Sequence, residues 1–152
     1  MKWVWMKFDQ LSAHELYEIM TLRQRVFTVE QNCAYLDADG FDLNAWHLCG
    51  WENSKVKPFL CAYLRVLPAN VKYPEPSIGR VVTAPEERGK GFGRAIMMEA
   101  LNRIRDEFGN TQVRISAQAY LKKFYMECGF TKVRGPYNED GIPHHEMVLS
   151  SL

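Results

Sequence analysis

The residues best placed to do chemistry lie in one run, Val81-Val82-Thr83-Ala84-Pro85-Glu86-Glu87-Arg88-Gly89-Lys90-Gly91-Phe92-Gly93-Arg94. A β-branched stretch enters a turn with glycine at alternate positions, and an amphipathic helix pattern follows. Without Cβ atoms at Gly89, Gly91 and Gly93, backbone N–H groups can converge on an anion. The positive end of the following helix adds to that attraction. Arg88, Lys90 and Arg94 bring full charges to the same place. The chemistry this predicts is a cradle for phosphate or pyrophosphate.

Other glycine loops fit less well. A P-loop needs G-x-x-x-x-G-K-[ST], which is not present. A dinucleotide fingerprint needs G-x-G-x-x-G at an early strand-to-helix turn, with an acidic residue about 20 positions on. Here the spacing is Gly89-x-Gly91-x-Gly93 and the preceding strand is a late one. A tight turn whose glycines serve close packing alone leaves the flanking bases unexplained.

Candidates for proton transfer are more scattered. His47 and His144 carry imidazoles, whose unperturbed pKa is about 6.5. His144 and His145 are neighbours and in a strand point to opposite faces, so at most one faces a given cleft. Charge is unevenly spread. From Val26 to Ser54 there is no Lys or Arg, while Glu30, Asp37, Asp39, Asp42 and Glu52 are present. From Arg103 to Arg134 there are seven basic and three acidic residues. That asymmetry fits an anion on one side and a cationic amine on the other, or an acidic loop that is merely solvated. Asp37-x-Asp39-Gly40 lacks the remaining ligands of an EF-hand.

The elements that must hold these residues read as an α/β alternation. A strand is expected over Trp3–Phe8. A helix opens with the capping box Ser12-Ala13-His14-Glu15, stapled by Leu11 and Leu16. Leu16, Ile19, Met20, Arg23, Val26 and Phe27 continue it at helical spacing. An Asp-rich loop over 32–44 follows, then strands over Trp46–Trp51, Pro58–Leu67 and Ile78–Thr83. The second helix carries Phe92, Ile96, Ala100, Ile104 and Phe108 on its buried stripe. A strand over Val113–Ala117, a short helix over Tyr120–Glu127 and strands near Thr131–Arg134 and His145–Leu149 complete a mixed sheet covered by helices. Arg23, Arg65 and Arg80 fall within these elements, where one or more of them is expected to pair with the acidic loop.

The composition agrees with one domain over 1–152: 152 residues, 47% hydrophobic, 24% charged and a net charge of +1. So even a balance carries no nucleic-acid or membrane signature, and no apolar run nears the ~18 residues of a membrane helix. Cys33, Cys49, Cys61 and Cys128 form no C-x-x-C pair, which predicts free thiols, no metal site and a reducing, cytoplasmic setting.

Arg88-x-x-Gly91-x-Gly93 after a strand resembles the coenzyme A pyrophosphate motif of the GNAT N-acetyltransferase superfamily. Gln118-x-x-x-x-x-Phe124-Tyr125-x-x-x-Gly129-Phe130 is similar to that superfamily's late helix and its tyrosine. Within it the chain resembles the ElaA family, through Val26-Phe27-Thr28-Val29-Glu30-Gln31, Tyr35-x-x-x-Asp39, His47-Leu48, Ala117-Gln118-Ala119-Tyr120-Leu121 and Glu139-Asp140-Gly141-Ile142-Pro143-His144. Many superfamily members carry Asn where Gln118 stands; Gln offers the same donor and acceptor on a longer stem.

The resemblance implies a mostly antiparallel sheet with helices on both faces and two central strands that splay apart around acetyl-CoA, used as co-substrate. Val81, Val82, Thr83 and Gln118 would hold the pantetheine arm. Arg88, Gly89, Lys90, Gly91, Phe92, Gly93 and Arg94 would hold the pyrophosphate. Tyr125 would be the general acid, since a phenol of pKa about 10 is protonated at neutral pH. Glu30 is the candidate base, and Gln31, Tyr35, Asp39, His47 and His144 are candidates for the acceptor side. The reading is a cytoplasmic acetyl-CoA-dependent N-acetyltransferase acting directly on a small-molecule or peptide amine. A CoA-binding sensor or interaction module without turnover, a transferase of longer acyl chains and a nucleotide-phosphate binder are the alternatives. An exposed C-terminal edge strand would offer a second copy a pairing surface, giving a homodimer.

Overall fold

The computed structural model describes residues 1–54 and 56–152. Its frame is one seven-stranded sheet: β1 (Lys2–Lys7), β2 (Trp46–Asn53), β3 (Pro58–Leu67), β4 (Ser77–Thr83), β5 (Val113–Gln118), β6 (Thr131–Glu139) and β7 (Ile142–Leu149). The spatial order is β1-β2-β3-β4-β5-β7-β6. Every neighbouring pair is antiparallel except β4 with β5. The expected C-terminal edge strand is corrected here: β7 lies inside the sheet between β5 and β6, and β6 forms that edge.

Alternation along the strands sends side chains to two cores. Leu48 on β2 and Ala62, Leu64 and Val66 on β3 pack under Ile96, Met97, Ala100 and Ile104 of α2 (Phe92–Phe108). Tyr125 of α3 (Lys122–Glu127) and Phe130 belong to the same core. On the opposite face Cys49, Trp51, Tyr63 and Val82 meet Ile19 and Leu22 of α1 (Ala13–Arg23), together with Val26. The helices therefore cover both faces. The Ser12 hydroxyl caps α1 by accepting from the Glu15 amide at 3.1 Å, and the Glu15 carboxylate accepts from the Ser12 amide at 2.8 Å. Past Arg23 the helix widens into a π-helical turn, Gln24–Glu30, which carries Glu30 toward the sheet.

Two departures from regular pairing create the site. Between Tyr63 and Arg65 on β3, the partners on β4 are Val82 and Gly79, so β4 holds an extra residue and bulges. Arg80, in the bulge, takes a left-handed φ of 55°, a conformation that L residues other than glycine rarely adopt. β4 and β5 then pair only at Ser77↔Arg114 and Ile78↔Ile115 and diverge toward Thr83 and Gln118. Their parting opens the sheet.

Candidate active site

A cavity of about 960 Å³ occupies this opening. Val81, Val82 and Thr83 line it from β4, Ser116 and Gln118 from β5, and Phe124 and Tyr125 from α3. Arg88 and Gly93 line it from the glycine loop, Glu30 and Gln31 from the π-helical turn and its exit, and His144 from β7. Residues distant in sequence are thus brought together around one cavity. Gly89, Lys90, Gly91, Phe92 and Arg94 are outside the cavity lining.

The loop has the backbone an anion cradle needs. Gly89 and Gly91 have φ of +80° and +83°, and a Cβ built on either would meet no atom within 4 Å. The glycines therefore serve backbone conformation and open approach, not packing against a neighbour. Gly91 is the N-cap of α2, so the first-turn amides follow directly. Gly93 differs, since a Cβ there would touch Phe124 at 3.7 Å. Lys90 is 2.7 Å from Glu87 and Arg88 is 2.8 Å from Glu30. Arg94 is exposed. These residues and the splayed strands fit a pyrophosphate with an extended arm behind it.

Tyr125 is buried, with its ring edge-on to Phe124 and Phe130. Burial pushes its phenol above the usual range, followed by the charge of Cys128. A tyrosine in this setting keeps its proton through neutral pH and can donate it.

The acidic loop has a different role from the one its charges suggest. Arg23 donates to Asp37 and Asp42, both at 2.7 Å. Arg65 donates to Asp39 at 2.7 Å and to Asp42 at 2.8 Å, and Arg80 donates to Asp37 at 2.7 Å. Burial alone would raise the Asp39 carboxyl, but hydrogen bonding and attraction from Arg65, with the charge of Arg80, pull it down to about 2. Asp37, Asp39 and Asp42 are therefore committed to three arginines and hold the loop and the β4 bulge in place. Asp39 lines the cavity as part of this network.

His47 is corrected outright. It is 1% exposed, bonds the Tyr63 hydroxyl at 2.7 Å and the Asp42 carbonyl at 2.9 Å, and lies outside the cavity lining. Burial pushes its pKa down, with opposing help from Asp42. It is a structural histidine that ties β2 and β3 to the acidic loop. Of the adjacent pair on β7, His144 lines the cavity and His145 does not. Gln31 and Gln118 exchange amide hydrogen bonds at 3.3 and 3.2 Å. Tyr35 lines the mouth and is 58% exposed.

The site also includes residues that motif reading passed over. On β5, Arg114, Ser116 and Gln118 alternate with buried Val113, Ile115 and Ala117, so their polar side chains share one face. The Ser116 hydroxyl donates to Glu139 at 2.7 Å and lies 2.6 Å from the Tyr137 hydroxyl. The strict polar–apolar alternation of β5 was the available signal for Ser116. Tyr137 had none, because its strand, β6, was expected to end at Arg134, and Glu139 stood in the block Glu139–His144 that carries the family resemblance without a role assigned to it.

Comparison with known proteins follows the same lines. Residues 68–151 match the family described as an acetyltransferase (GNAT) domain. A UPF0039 protein of Synechocystis is 46% identical over 97% of this chain and 94% of its own. Protein ElaA of Escherichia coli is 38% identical over 97% of this chain and 95% of its own. Its crystal structure superposes with a TM-score of 0.87 at 37% identity, covering 97% of both chains. An acyl-CoA N-acyltransferase from Pseudomonas aeruginosa superposes with a TM-score of 0.90 at 37% identity, over 99% of this chain and 100% of that one. A glycine cradle, a sheet parted at β4 and β5, and relatives of matching length agree that this chain belongs to the GNAT acetyltransferase family, among its ElaA-like members.

Proposed function

We propose that the protein is an acetyl-CoA-dependent N-acetyltransferase that acetylates an amine directly, with both substrates bound at once. The observation that carries this reading is the cavity itself, which joins the glycine loop at Arg88 and Gly93 to a polar wall at Ser116, Glu139 and His144. An anionic cofactor held at one end and an amine at the other would meet at β4.

The chain's own groups have distinct tasks in this reading. Arg88 and the amides after Gly91 bind the pyrophosphate. The bulged backbone at Val81 and the amide of Gln118 position the pantetheine arm, and backbone N–H groups of β4 polarise the thioester carbonyl. Tyr125 gives its proton to the departing sulfur. Glu30 holds Arg88 until the pyrophosphate competes for it, and stands at the entrance on the acceptor side. When bound, acetyl-CoA supplies the activated acetyl group.

Calorimetric titration with acetyl-CoA, repeated on Gly91→Glu, tests the reading. Micromolar-range binding that the glutamate abolishes is expected, because the new carboxylate would project into the space left open at Gly91 and repel the pyrophosphate. No binding by the folded natural protein would overturn it.

A further inference from the structure

At the end of β6, three polar groups from β5, β7 and the loop between β3 and β4 surround the Glu139 carboxylate. Glu139 Oε2 accepts from the Ser116 hydroxyl at 2.7 Å, and His144 Nε2 lies 3.3 Å from the same oxygen. Glu139 Oε1 has Lys72 at 3.9 Å, beyond hydrogen-bond range. His144 Nδ1 lies 2.7 Å from the Ile142 carbonyl, and its ring stacks on Tyr137. The side chain of His144 is 10% exposed and that of Glu139 is 37% exposed.

The carbonyl of Ile142 cannot donate, so Nδ1 must carry the proton in that contact. Nε2 is then the atom that gains or loses a proton, and it faces a carboxylate. With Nε2 bare, its lone pair opposes the charge on Glu139; with Nε2 protonated, the two attract. The pair is therefore built to hold one proton between Oε2 and Nε2, and both residues line the cavity.

We infer that Glu139 and His144 form the proton acceptor for the incoming amine, an inference that rests on the acetyltransferase reading above. The acceptor enters as a primary ammonium and binds at the Glu139 carboxylate. One of its protons passes to the pair, and the nitrogen lone pair is free. The N–C bond then forms on the thioester carbonyl and the C–S bond breaks. The nitrogen loses a second proton as the amide forms, which balances the proton that Tyr125 gives to sulfur and its return to the phenol. The products are an N-acetylated amine and the free thiol of CoA, and the first proton leaves from His144 to solvent. Glu139 is the catalytic residue of the pair. Ser116 and Tyr137 position it, and His144 stores the proton.

Several charged or titratable groups lie around the pair. Lys72 and Tyr73 come from the loop between β3 and β4, Arg114 from β5, Tyr137 and Arg134 from β6, Asp140 from the β6–β7 turn, and Glu146 from β7. Arg114 and Arg134 are bound to Glu146 at 2.5 and 2.9 Å, and Arg114 also to Glu75 at 2.9 Å, so these charges largely offset one another.

Two readouts test the inference on the full chain. Nitrogen-15 NMR of the imidazoles should show neutral His144 protonated at Nδ1, as its contact with the Ile142 carbonyl requires. An Nε2-protonated neutral ring would overturn it. CoA release should then be compared at pH 7 with two probes, ethylamine, which is an ammonium, and hydroxylamine, which is neutral and needs no deprotonation before attack. Glu139→Gln should lower the ethylamine-to-hydroxylamine ratio of kcat/KM by about 100-fold, whereas a purely structural role would lower both together. Calorimetry with acetyl-CoA separates the two levels. A protein that binds no acetyl-CoA overturns the acetyltransferase reading, and normal binding with an unchanged probe ratio overturns the base assignment alone.

Discussion

The guanidinium of Arg88, on the approach to the glycine loop, lies 2.8 Å from the carboxylate of Glu30 at the end of the π-helical turn. A second pair, Arg25 with Glu86 at 2.9 Å, joins the same two segments. The group best placed to bind a pyrophosphate is therefore held by a carboxylate of the acceptor side. If the chain binds acetyl-CoA as proposed, the cofactor and Glu30 compete for one cation.

Glu30→Gln should consequently tighten acetyl-CoA binding. Both side chains are nearly half exposed, at 43% for Glu30 and 46% for Arg88, so the pair is worth about as much as other surface pairs. An affinity gain of about two- to five-fold is expected by calorimetry at low salt, shrinking as salt is added. Weaker binding would show that Glu30 helps to hold Arg88 in the posture that binds the cofactor.

Tyr125→Phe should lower kcat by about 100-fold with little change in acetyl-CoA affinity. The ring packs in the core with Phe124 and Phe130, and phenylalanine keeps that packing. Since burial raises the phenol's pKa, loss of its proton should not shape the pH–rate profile near neutrality. Unchanged turnover would remove Tyr125 from the chemistry.

The arginine–aspartate network should set the acid limit of stability. The Asp39 carboxyl falls from its ordinary 3.8 to about 2 in the folded chain, and Asp42 is also lowered despite its burial, by Arg23 and Arg65. A depressed folded pKa gives stability that is complete above about pH 4 and is lost as pH falls toward 2. Asp42→Asn leaves Arg23, which is wholly buried, and Arg65 short of a counter-charge, and should destabilise the fold by about 3 kcal/mol in urea titrations at pH 7. The difference between variant and natural protein should narrow in acid.

Gly135→Ala should disturb β7 as much as its own strand. At a φ of +116° its Cβ would lie 2.8 Å from the His144 carbonyl, which is too close for any real contact. A loss of at least about 1 kcal/mol is expected from conformation alone, and the His144 imidazole signals should shift with it.

The glycine cradle, the helix stripes and the alternation of β5 were legible in the sequence because each depends on neighbours within one element. A positive φ favours glycine, helical burial repeats every 3.6 residues and strand burial every two. The extent of β6 was not legible, because Gly135-Pro136 reads locally as a strand end. It is accommodated by a register shift against β7 between Arg134 and Tyr137, which tertiary pairing alone reveals. Some pairing of the acidic loop with Arg23, Arg65 and Arg80 was expected, but how completely it is paired was not legible. Its charges could be counted, but three arginines from α1, β3 and β4 meet them in space and cancel their pull on a cation. His47 and His144 are the same residue type, yet one is sealed between β2, β3 and the loop and the other faces the cavity. Local spacing determined which elements form and where an anion can be held. Long-range packing alone decided which charges stay available, because desolvation and pairing are set by neighbours that the sequence keeps far apart.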